Sequence, residues 1–140
     1  MMYSYVHNTE LRVRYGETDQ MGYCYYGIYA QYFEVGRVEA IRNLGISYKS
    51  LEEEGIMLPV ADFSVKYISP AFYDDLLTIK THIKEISGAR IYFEYELIND
   101  IGKLIAKANT TLVFVAKLTM KPTQAPLDIL ELIQPFEDEK

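Results

Sequence analysis

A carboxylate and the start of a helix lie close together near the amino terminus. Asp19 belongs to a segment rich in turn formers, residues 16–22, and the helical spacing of apolar side chains begins shortly afterwards, near Ile28. The first N–H groups of a helix are unpaired and carry the positive end of its dipole, so they can stabilise an oxyanion that forms on a carbonyl group. A carboxylate on the other side of that carbonyl can attack it or activate water. Together these features favour hydrolysis at a carbonyl carbon.

Each of these residues also has a structural interpretation. Asp is a frequent turn former and N-cap, and on the residues alone this is the stronger interpretation of Asp19. Glu17 is interpreted as a solvated or salt-bridged neighbour, and Thr18 as a residue that orients Asp19 or caps the turn. No histidine lies near Cys24 in sequence, which favours a buried structural cysteine over a thiol nucleophile. Glu34 is equally compatible with a catalytic and a structural carboxylate.

Sequence periodicity predicts the elements that hold this segment. A short strand is expected at residues 11–15, and a long helix over residues 28–44 that Gly45 ends. Gly36 inside that helix costs roughly 1 kcal/mol relative to alanine, which a close approach to a sheet would explain. The elements expected after it are a short helix at 47–54, strands at 61–67, 77–84, 91–97 and 104–116, and a helix at 127–133.

This order of elements is an α+β pattern, with one long helix against a five-stranded antiparallel sheet. A helix covers only one face of such a sheet, so the second face would need cover. Association of two copies would bury more of it, and at least a dimer is therefore expected. The 13 tyrosines fit half-buried surfaces such as a subunit interface or a ligand cleft, or else a general bias in composition.

Composition limits the partners and the compartment. The chain of 140 residues suits one domain, and its formal net charge of −6 argues against a nucleic-acid partner and against an anionic membrane. A small phosphorylated ligand needs only a few well-placed cations. One cysteine rules out an intramolecular disulfide and, with two histidines, argues against a structural zinc site. The sequence has no apolar stretch of the ~20 residues that a membrane span needs and no secretory signal, so a cytoplasmic protein is expected.

The segment around Asp19 resembles the 4-hydroxybenzoyl-CoA thioesterase family, and within it the small bacterial acyl-CoA thioesterases. The matching features are an acidic-Thr-Asp triplet at 17–19, a glycine at 22, a Tyr-aromatic pair at 25–26, a helix that opens with Tyr29, and downstream segments at 67–71 and 73–75. Their order and spacing agree together, and the resemblance spans roughly residues 11–115.

The resemblance implies a hotdog fold, in which a five-stranded antiparallel sheet wraps a long helix, as a single domain over residues 1–140. It implies hydrolysis of an acyl-CoA thioester to a free acid and CoA, without a metal or redox cofactor, in a homodimer or homotetramer with active sites between subunits. Asp19 would be the catalytic carboxylate, as nucleophile or general base, and the backbone amide of Tyr26 would polarise the thioester carbonyl. Many close members of the family carry histidine where this chain has Tyr26, so a side-chain acid–base role is not implied there.

Further residues are candidates for substrate binding. They are Thr18, Gly22, Tyr25, Tyr29, Lys66 and Arg90. The two cations are chosen, with Lys84 as a third, because the phosphates of CoA need positive charge, although each alone is more typical of a solvated side chain. The turn before Arg90 also offers backbone amides to a phosphate.

Two other functions share these features. An acyl-carrier-protein thioesterase would use the same site, because both carriers present phosphopantetheine. A non-catalytic acyl-CoA-binding protein would bind the ligand without releasing a thiol. A dehydratase of the same fold is disfavoured, because no paired Asp and His occur at the helix start.

Overall fold

A long helix packs against one face of a five-stranded antiparallel sheet in the computed structural model, which describes residues 1–138. The main strands are β1 (Met2–Arg12), β3 (Val60–Tyr67), β4 (Leu76–Ser87), β5 (Arg90–Asn99) and β6 (Leu104–Val113), in the order β1-β4-β5-β6-β3. The helices are α1 (Tyr29–Leu44), α2 (Tyr48–Glu53) and α3 (Leu127–Ile133). Three short strands, β2 (Ile56–Met57), β7 (Val115–Ala116) and β8 (Lys121–Pro122), form a small second sheet. The predicted domain runs to residue 140, and residues 139–140 lie outside the described ones.

Helix α1 forms where the spacing of apolar residues predicts it. Gly45 ends it in a conformation that favours glycine, with φ of 121°, and its N–H bonds to the carbonyls of Ile41 and Arg42. The reason given for Gly36 is confirmed: a Cβ there would lie 2.6 Å from Ile79 Cγ2 and 2.7 Å from Thr81 Oγ1. Glycine thus lets the helix approach β4 closely. None of the helices within residues 1–138 is both long and apolar enough to span a membrane.

The first and last predicted strands have different bounds from those expected. Of the strand expected at 11–15, only residues 11–12 are strand: they end β1, which begins at Met2 and pairs along β4 as far as Arg12 opposite Leu76, and a 3-10 turn begins at Tyr15. Its alternation is hard to recognise because the buried positions are the polar-tipped Tyr3 and Tyr5. The strand expected at 104–116 is interrupted at Phe114, whose N–H bonds to the Ala89 carbonyl instead of continuing the ladder.

The face of the sheet turned away from α1 is polar. Lys80 pairs with Glu96 at 3.9 Å and Lys84 with Glu94 at 2.8 Å, between neighbouring strands. This face therefore does not need the apolar cover that the predicted arrangement assumed. The exposed apolar feature is instead the edge strand β3, which is exposed at every position except Val65.

Candidate active site

Asp19 lies at the start of a tight hairpin. Its N–H donates to the Tyr23 carbonyl and its carbonyl accepts the Gly22 N–H, both at 3.0 Å. Gly22 has a φ of 87°, which favours glycine, so the turn depends on this residue type. The Asp19 carboxylate accepts the Met21 N–H at Oδ1, at 2.9 Å. Its other oxygen, Oδ2, accepts no hydrogen bond from residues 1–138, and one oxygen is thus fixed while the other is free.

Two backbone amides are unpaired at the amino end of the helix. A single 3-10 turn, Tyr26–Ile28, leads into α1: the Ile28 N–H bonds to the Tyr25 carbonyl at 2.9 Å and the Tyr29 N–H to that of Tyr26. The N–H groups of Tyr26 and Gly27 have no acceptor in the described part of the chain. A Cβ on Gly27 would lie 2.6 Å from the ring of the exposed Tyr25, so a larger residue there would displace that ring. The start of α1 thus presents two free donors.

Asp19 and Tyr26 line the same cleft, which has a volume of about 330 Å³. The other lining residues are mostly aromatic or apolar: Met21, Tyr23, Cys24, Tyr29, Tyr67, Ile68, Ser69 and Pro70. The Tyr67 ring packs edge-on against those of Tyr26 and Tyr29, with centroids 6.3 and 5.2 Å apart. Burial raises the pKa of Tyr29 to about 12, so its hydroxyl is neutral. A free carboxylate oxygen, free amides and an aromatic wall suit hydrolysis of a thioester with an apolar acyl group.

Glu17 is buried beneath the hairpin and is fully hydrogen bonded. Its Oε1 accepts the Tyr32 hydroxyl at 2.7 Å and the Arg14 N–H at 2.8 Å, and its Oε2 accepts the Arg14 guanidinium at 3.2 Å. Burial alone would raise the pKa of Glu17, but the bonds from Arg14 and Tyr32 outweigh burial and hold that pKa below its usual value. The predicted salt bridge is confirmed, whereas the interpretation of Glu17 as solvated is wrong, since it is only 9% exposed.

Known proteins share this sequence and this arrangement. The sequence profile of the thioesterase-like superfamily matches residues 13–133, nearly the whole chain. The chain belongs to the thioesterase-like superfamily. The predicted hotdog fold and the predicted thioester hydrolase are thereby confirmed at the level of the family.

Individual relatives of this thioesterase are similar over most of their length. The putative acyl-CoA thioesterase YneP of Bacillus subtilis is 36% identical over 120 residues, which cover 86% of this chain and 87% of YneP. The acyl-CoA thioester hydrolase YbgC of Escherichia coli O157:H7 is 32% identical over 120 residues, covering 86% and 90%. Among solved structures, a DHNA-CoA thioesterase from Staphylococcus aureus superposes with a TM-score of 0.89 at 36% identity, covering 93% of this chain and 89% of its own.

The structure places the predicted residues of this thioesterase near the hairpin in two groups. Tyr29 lines the cleft beside Asp19 and Tyr26, whereas Thr18, Gly22 and Tyr25 are not among the lining residues. The Thr18 hydroxyl donates to the Tyr15 carbonyl at 2.7 Å and so caps the turn. Gly22 shapes the hairpin, and the exposed Tyr25 ring packs on Tyr26 with centroids 4.9 Å apart.

Cys24 borders the cleft but is buried, as the structural interpretation expects. It is only 3% exposed. Burial raises the pKa of its thiol to about 11, so the thiol is protonated at neutral pH. Its Sγ lies 3.7 Å from the Tyr32 hydroxyl, and no metal-binding cluster of His, Cys, Asp or Glu occurs in the described residues.

The predicted cations do not line the cleft. Lys66 is exposed on β3 beside Tyr67 but is not a lining residue. Tyr67 pairs with Ala106 on β6, whereas Arg90 pairs with Val113, about 23 Å further along that strand at ~3.3 Å per residue. Arg90 therefore does not reach this cleft.

The sequence interpretation did not identify the wall opposite Asp19 as part of the site. Residues 67–70 reach the cleft because Tyr23 pairs with Phe72 and the Cys24 N–H bonds to the Ala71 carbonyl at 2.7 Å. The resemblance at residues 67–71 was the signal that could have placed this wall beside the hairpin.

Proposed function

We propose that this chain, as one hotdog domain, hydrolyses acyl-CoA thioesters to a free acid and CoA, with Asp19 as nucleophile or general base. The observation that carries the proposal is that Asp19 lines one cleft together with Tyr26, whose N–H is free at the start of α1. Water supplies the oxygen of the acid, and the thiolate of CoA leaves and takes up a proton. The acyl-CoA thioesterases YneP and YbgC, each similar over most of the chain, support this reaction.

The fixed geometry of the cleft suits each step. The N–H groups of Tyr26 and Gly27 would donate to the thioester oxygen and stabilise the oxyanion, an effect worth about 10²–10³-fold in rate per donor. The Met21 N–H holds Oδ1 of Asp19, which leaves Oδ2 to meet the carbonyl carbon or a water molecule. The rings of Tyr29 and Tyr67 would contact the acyl group and exclude water from it.

Asp19→Asn tests the proposal. Asparagine keeps the oxygen that accepts the Met21 N–H, so the turn is retained while the negative charge is lost. We expect kcat to fall by about 10²–10⁴-fold, the range for a catalytic acid–base group. Release of free thiol from short, long, branched and aromatic acyl-CoAs measures it, and the S. aureus relative puts an aromatic acyl group first in that series.

Asp75→Asn is the matched control. Asp75 also accepts a backbone N–H in a turn, that of Phe72 at 2.8 Å, but it does not line the cleft. We expect its turnover to equal that of the native chain. Native turnover in Asp19→Asn would show that Asp19 is not the catalytic group, and binding without thiol release by the native chain would favour a non-catalytic acyl-CoA-binding protein.

The carrier is tested separately. We propose CoA, with acyl carrier protein as the alternative, because both present the thioester on phosphopantetheine. The same acyl group is offered on both carriers, and kcat/KM is expected to be higher for the CoA ester. A higher value for the carrier protein would assign this enzyme to acyl-carrier-protein substrates.

We further propose that two copies pair through β3, as a homodimer that can associate further to a homotetramer. An exposed edge strand offers unpaired N–H and C=O groups to another strand, and β3 adds the apolar side chains of Val60, Phe63 and Tyr67. Antiparallel pairing of two β3 strands would bring the Val60 end of one copy, nearer to Arg90, towards the Tyr67 end of the other. The phosphates of CoA could then meet Lys66 of one subunit and Arg90 of the second.

Substitutions on the two sheet edges test this assembly. We expect Phe63→Lys on β3 to lower the mass in sedimentation to that of one chain. The control Val6→Lys, on the exposed face of the opposite edge strand β1, is expected to keep the native mass. A native mass of one chain would contradict the homodimer.

The cytoplasmic location stays a prediction.

A further inference from the structure

Glu17 is a buried carboxylate for which the proposed chemistry has no direct use. It does not line the cleft, and its two oxygens are occupied by bonds from Arg14 and Tyr32. Its backbone carbonyl accepts the Tyr25 N–H at 2.8 Å. One residue thus contacts the segment before the hairpin, the residue just before the free amides, and the second turn of α1.

Both halves of the proposed site depend on this residue for their position. Asp19 follows Glu17 closely along the chain, and Tyr26 follows Tyr25, which the Glu17 carbonyl holds. The bond from the Tyr32 hydroxyl to the carboxylate joins the hairpin to α1, the helix whose start carries the amides. Charge-assisted bonds of this length are roughly twice as strong as neutral ones. Glu17 and Tyr32 are 9% and 3% exposed, and they border a second cavity of about 310 Å³.

We propose that Glu17 and Tyr32 are a pair of positioning residues that set the Asp19 carboxylate against the free amides of Tyr26 and Gly27. The inference rests on the proposed function. A shift of about 1 Å in a reacting group can cost about 10²-fold in rate, so a pair that fixes this separation acts on kcat. Neither residue is placed against the substrate in this arrangement, since both are at most 9% exposed and they border the second cavity and not the cleft of Asp19.

Tyr32→Phe is the decisive variant, because it removes one hydroxyl and keeps the ring. We expect kcat to fall by about 10- to 100-fold while KM changes by less than about 3-fold, since the loss is in alignment and not in contact with the substrate. Glu17→Ala is expected to behave in the same way where it folds. Glu17→Gln keeps an oxygen that can accept from Tyr32 and is expected to recover at least about a third of the native kcat.

Two controls separate positioning from other roles. Tyr48→Phe removes a buried hydroxyl that lies beside the Arg37 guanidinium and does not line the cleft, and it is expected to leave kcat and KM at their native values. A kcat for Glu17→Gln as low as that of Glu17→Ala would show that an acceptor for the Tyr32 hydroxyl does not restore alignment, which would overturn the pair. A native kcat for Tyr32→Phe would overturn it as well.

A measurement without substrate keeps the inference distinct from the proposed function. Amide exchange of the Tyr25 N–H, and the NMR shifts of the Tyr26 and Gly27 amides, report the local geometry directly. We expect Tyr32→Phe to speed exchange at Tyr25 by about tenfold or more while amides in β4 and β5 keep native rates. If the native chain releases no thiol, the proposed function fails while this readout still tests the link from hairpin to helix. Unchanged exchange and unchanged shifts in Tyr32→Phe overturn the pair.

Discussion

Two charged side chains are buried in residues 1–138: Glu17, which bonds to helix α1, and Arg37, which belongs to that helix. Their surroundings differ. Glu17 receives four donors near the amino end of the helix, including Tyr32 at 2.7 Å. Arg37, in the middle of the helix, has no carboxylate within 4.0 Å among the described residues, and its Nε has no hydrogen-bond partner there. A buried charge that is fully bonded fixes geometry, whereas one without a counter-charge lowers stability. Of the two, only Glu17, which lies near the cleft, has hydrogen bonds to all of its charged group.

The polar groups around Arg37 are incompletely paired as well. Burial alone would lower the pKa of Arg37, but the neighbouring hydroxyls of Tyr95 and Tyr48 outweigh it, and the pKa lies above its usual value. The guanidinium is therefore charged at neutral pH. The hydroxyls of Tyr48 and Thr81 make no well-formed hydrogen bond within residues 1–138, although Tyr48 lies beside Arg37 and the Tyr95 hydroxyl bonds to Thr110 at 2.6 Å. Some of the buried polar groups under the middle of α1 therefore lack hydrogen-bond partners within residues 1–138.

Substitution of each buried charge by methionine tests the difference between Glu17 and Arg37 most directly. Glu17→Met leaves the Arg14 N–H and the Tyr32 hydroxyl without an acceptor, and we expect the free energy of unfolding to fall by about 3 kcal/mol, since each such group costs about 1–3 kcal/mol. Arg37→Met removes an unpaired charge and keeps apolar length, so we expect a change below about 1 kcal/mol, or a gain. Urea unfolding at two protein concentrations measures both. A greater loss in Arg37→Met would reverse the comparison and point to a counter-charge from a second copy.

The pH dependence of stability also distinguishes Glu17 from Arg37. Because the pKa of Glu17 is lower in the folded chain than its ordinary value of 4.5, the ionised carboxylate stabilises the fold above that pH. That contribution is lost as the pH falls through the lowered pKa. We therefore expect the stability difference between the native chain and Glu17→Gln to be constant near neutral pH and to shrink below pH 4.5. Urea midpoints across this range measure it.

Arg37 provides the reference for this titration. Its guanidinium does not lose a proton in the acidic range, so the difference between the native chain and Arg37→Met has no such pH dependence. Parallel curves for Glu17→Gln and Arg37→Met below pH 4.5 would show that the Glu17 carboxylate titrates at its ordinary value.

The sequence predicts those parts of the molecule whose signal is local. The helix over 28–44 and its end at Gly45 follow from spacing and from one residue type, and Gly36 indicated the approach to the sheet before the contact with Ile79 was seen. Asp19 and Tyr26 were placed by a motif, and both line the cleft. In each case the information lies within a few residues of the feature.

The remainder depends on contacts between distant segments. The burial of Glu17 depends on the Tyr32 hydroxyl of the following helix, so the sequence indicated only a charge in a turn. Arg90 was chosen for its positive charge, because the phosphates of CoA need cations, but strand register places it far along the sheet from Tyr67. No local pattern reports which residues of two strands lie opposite each other.

Removal of one hydroxyl at two tyrosines gives a smaller test of the comparison. Tyr32→Phe deletes a buried bond to a carboxylate, and we expect the free energy of unfolding to fall by about 1.5–3 kcal/mol. Tyr48→Phe deletes a buried hydroxyl that lies beside Arg37 but makes no well-formed hydrogen bond within residues 1–138, and we expect a change within about 0.5 kcal/mol. Both follow from urea unfolding in one buffer. Equal losses would mean that the Tyr48 hydroxyl has a hydrogen-bond partner in solution, and that the buried polar groups under α1 are paired.

Substitution of Cys24 has the smallest expected effect. It tests whether Glu17 and Tyr32 position Asp19 or Cys24. The thiol is buried, its pKa is raised to about 11, and its Sγ lies 3.7 Å from the Tyr32 hydroxyl. A protonated thiol is a poor nucleophile, so we expect Cys24→Ala to keep kcat within about 3-fold of native. We also expect the native thiol to react at pH 8 with a disulfide reagent at least about 100-fold more slowly than in urea. Rapid reaction of the folded chain, together with loss of turnover in Cys24→Ala, would make the thiol the nucleophile. Glu17 and Tyr32 would then position Cys24 instead of Asp19.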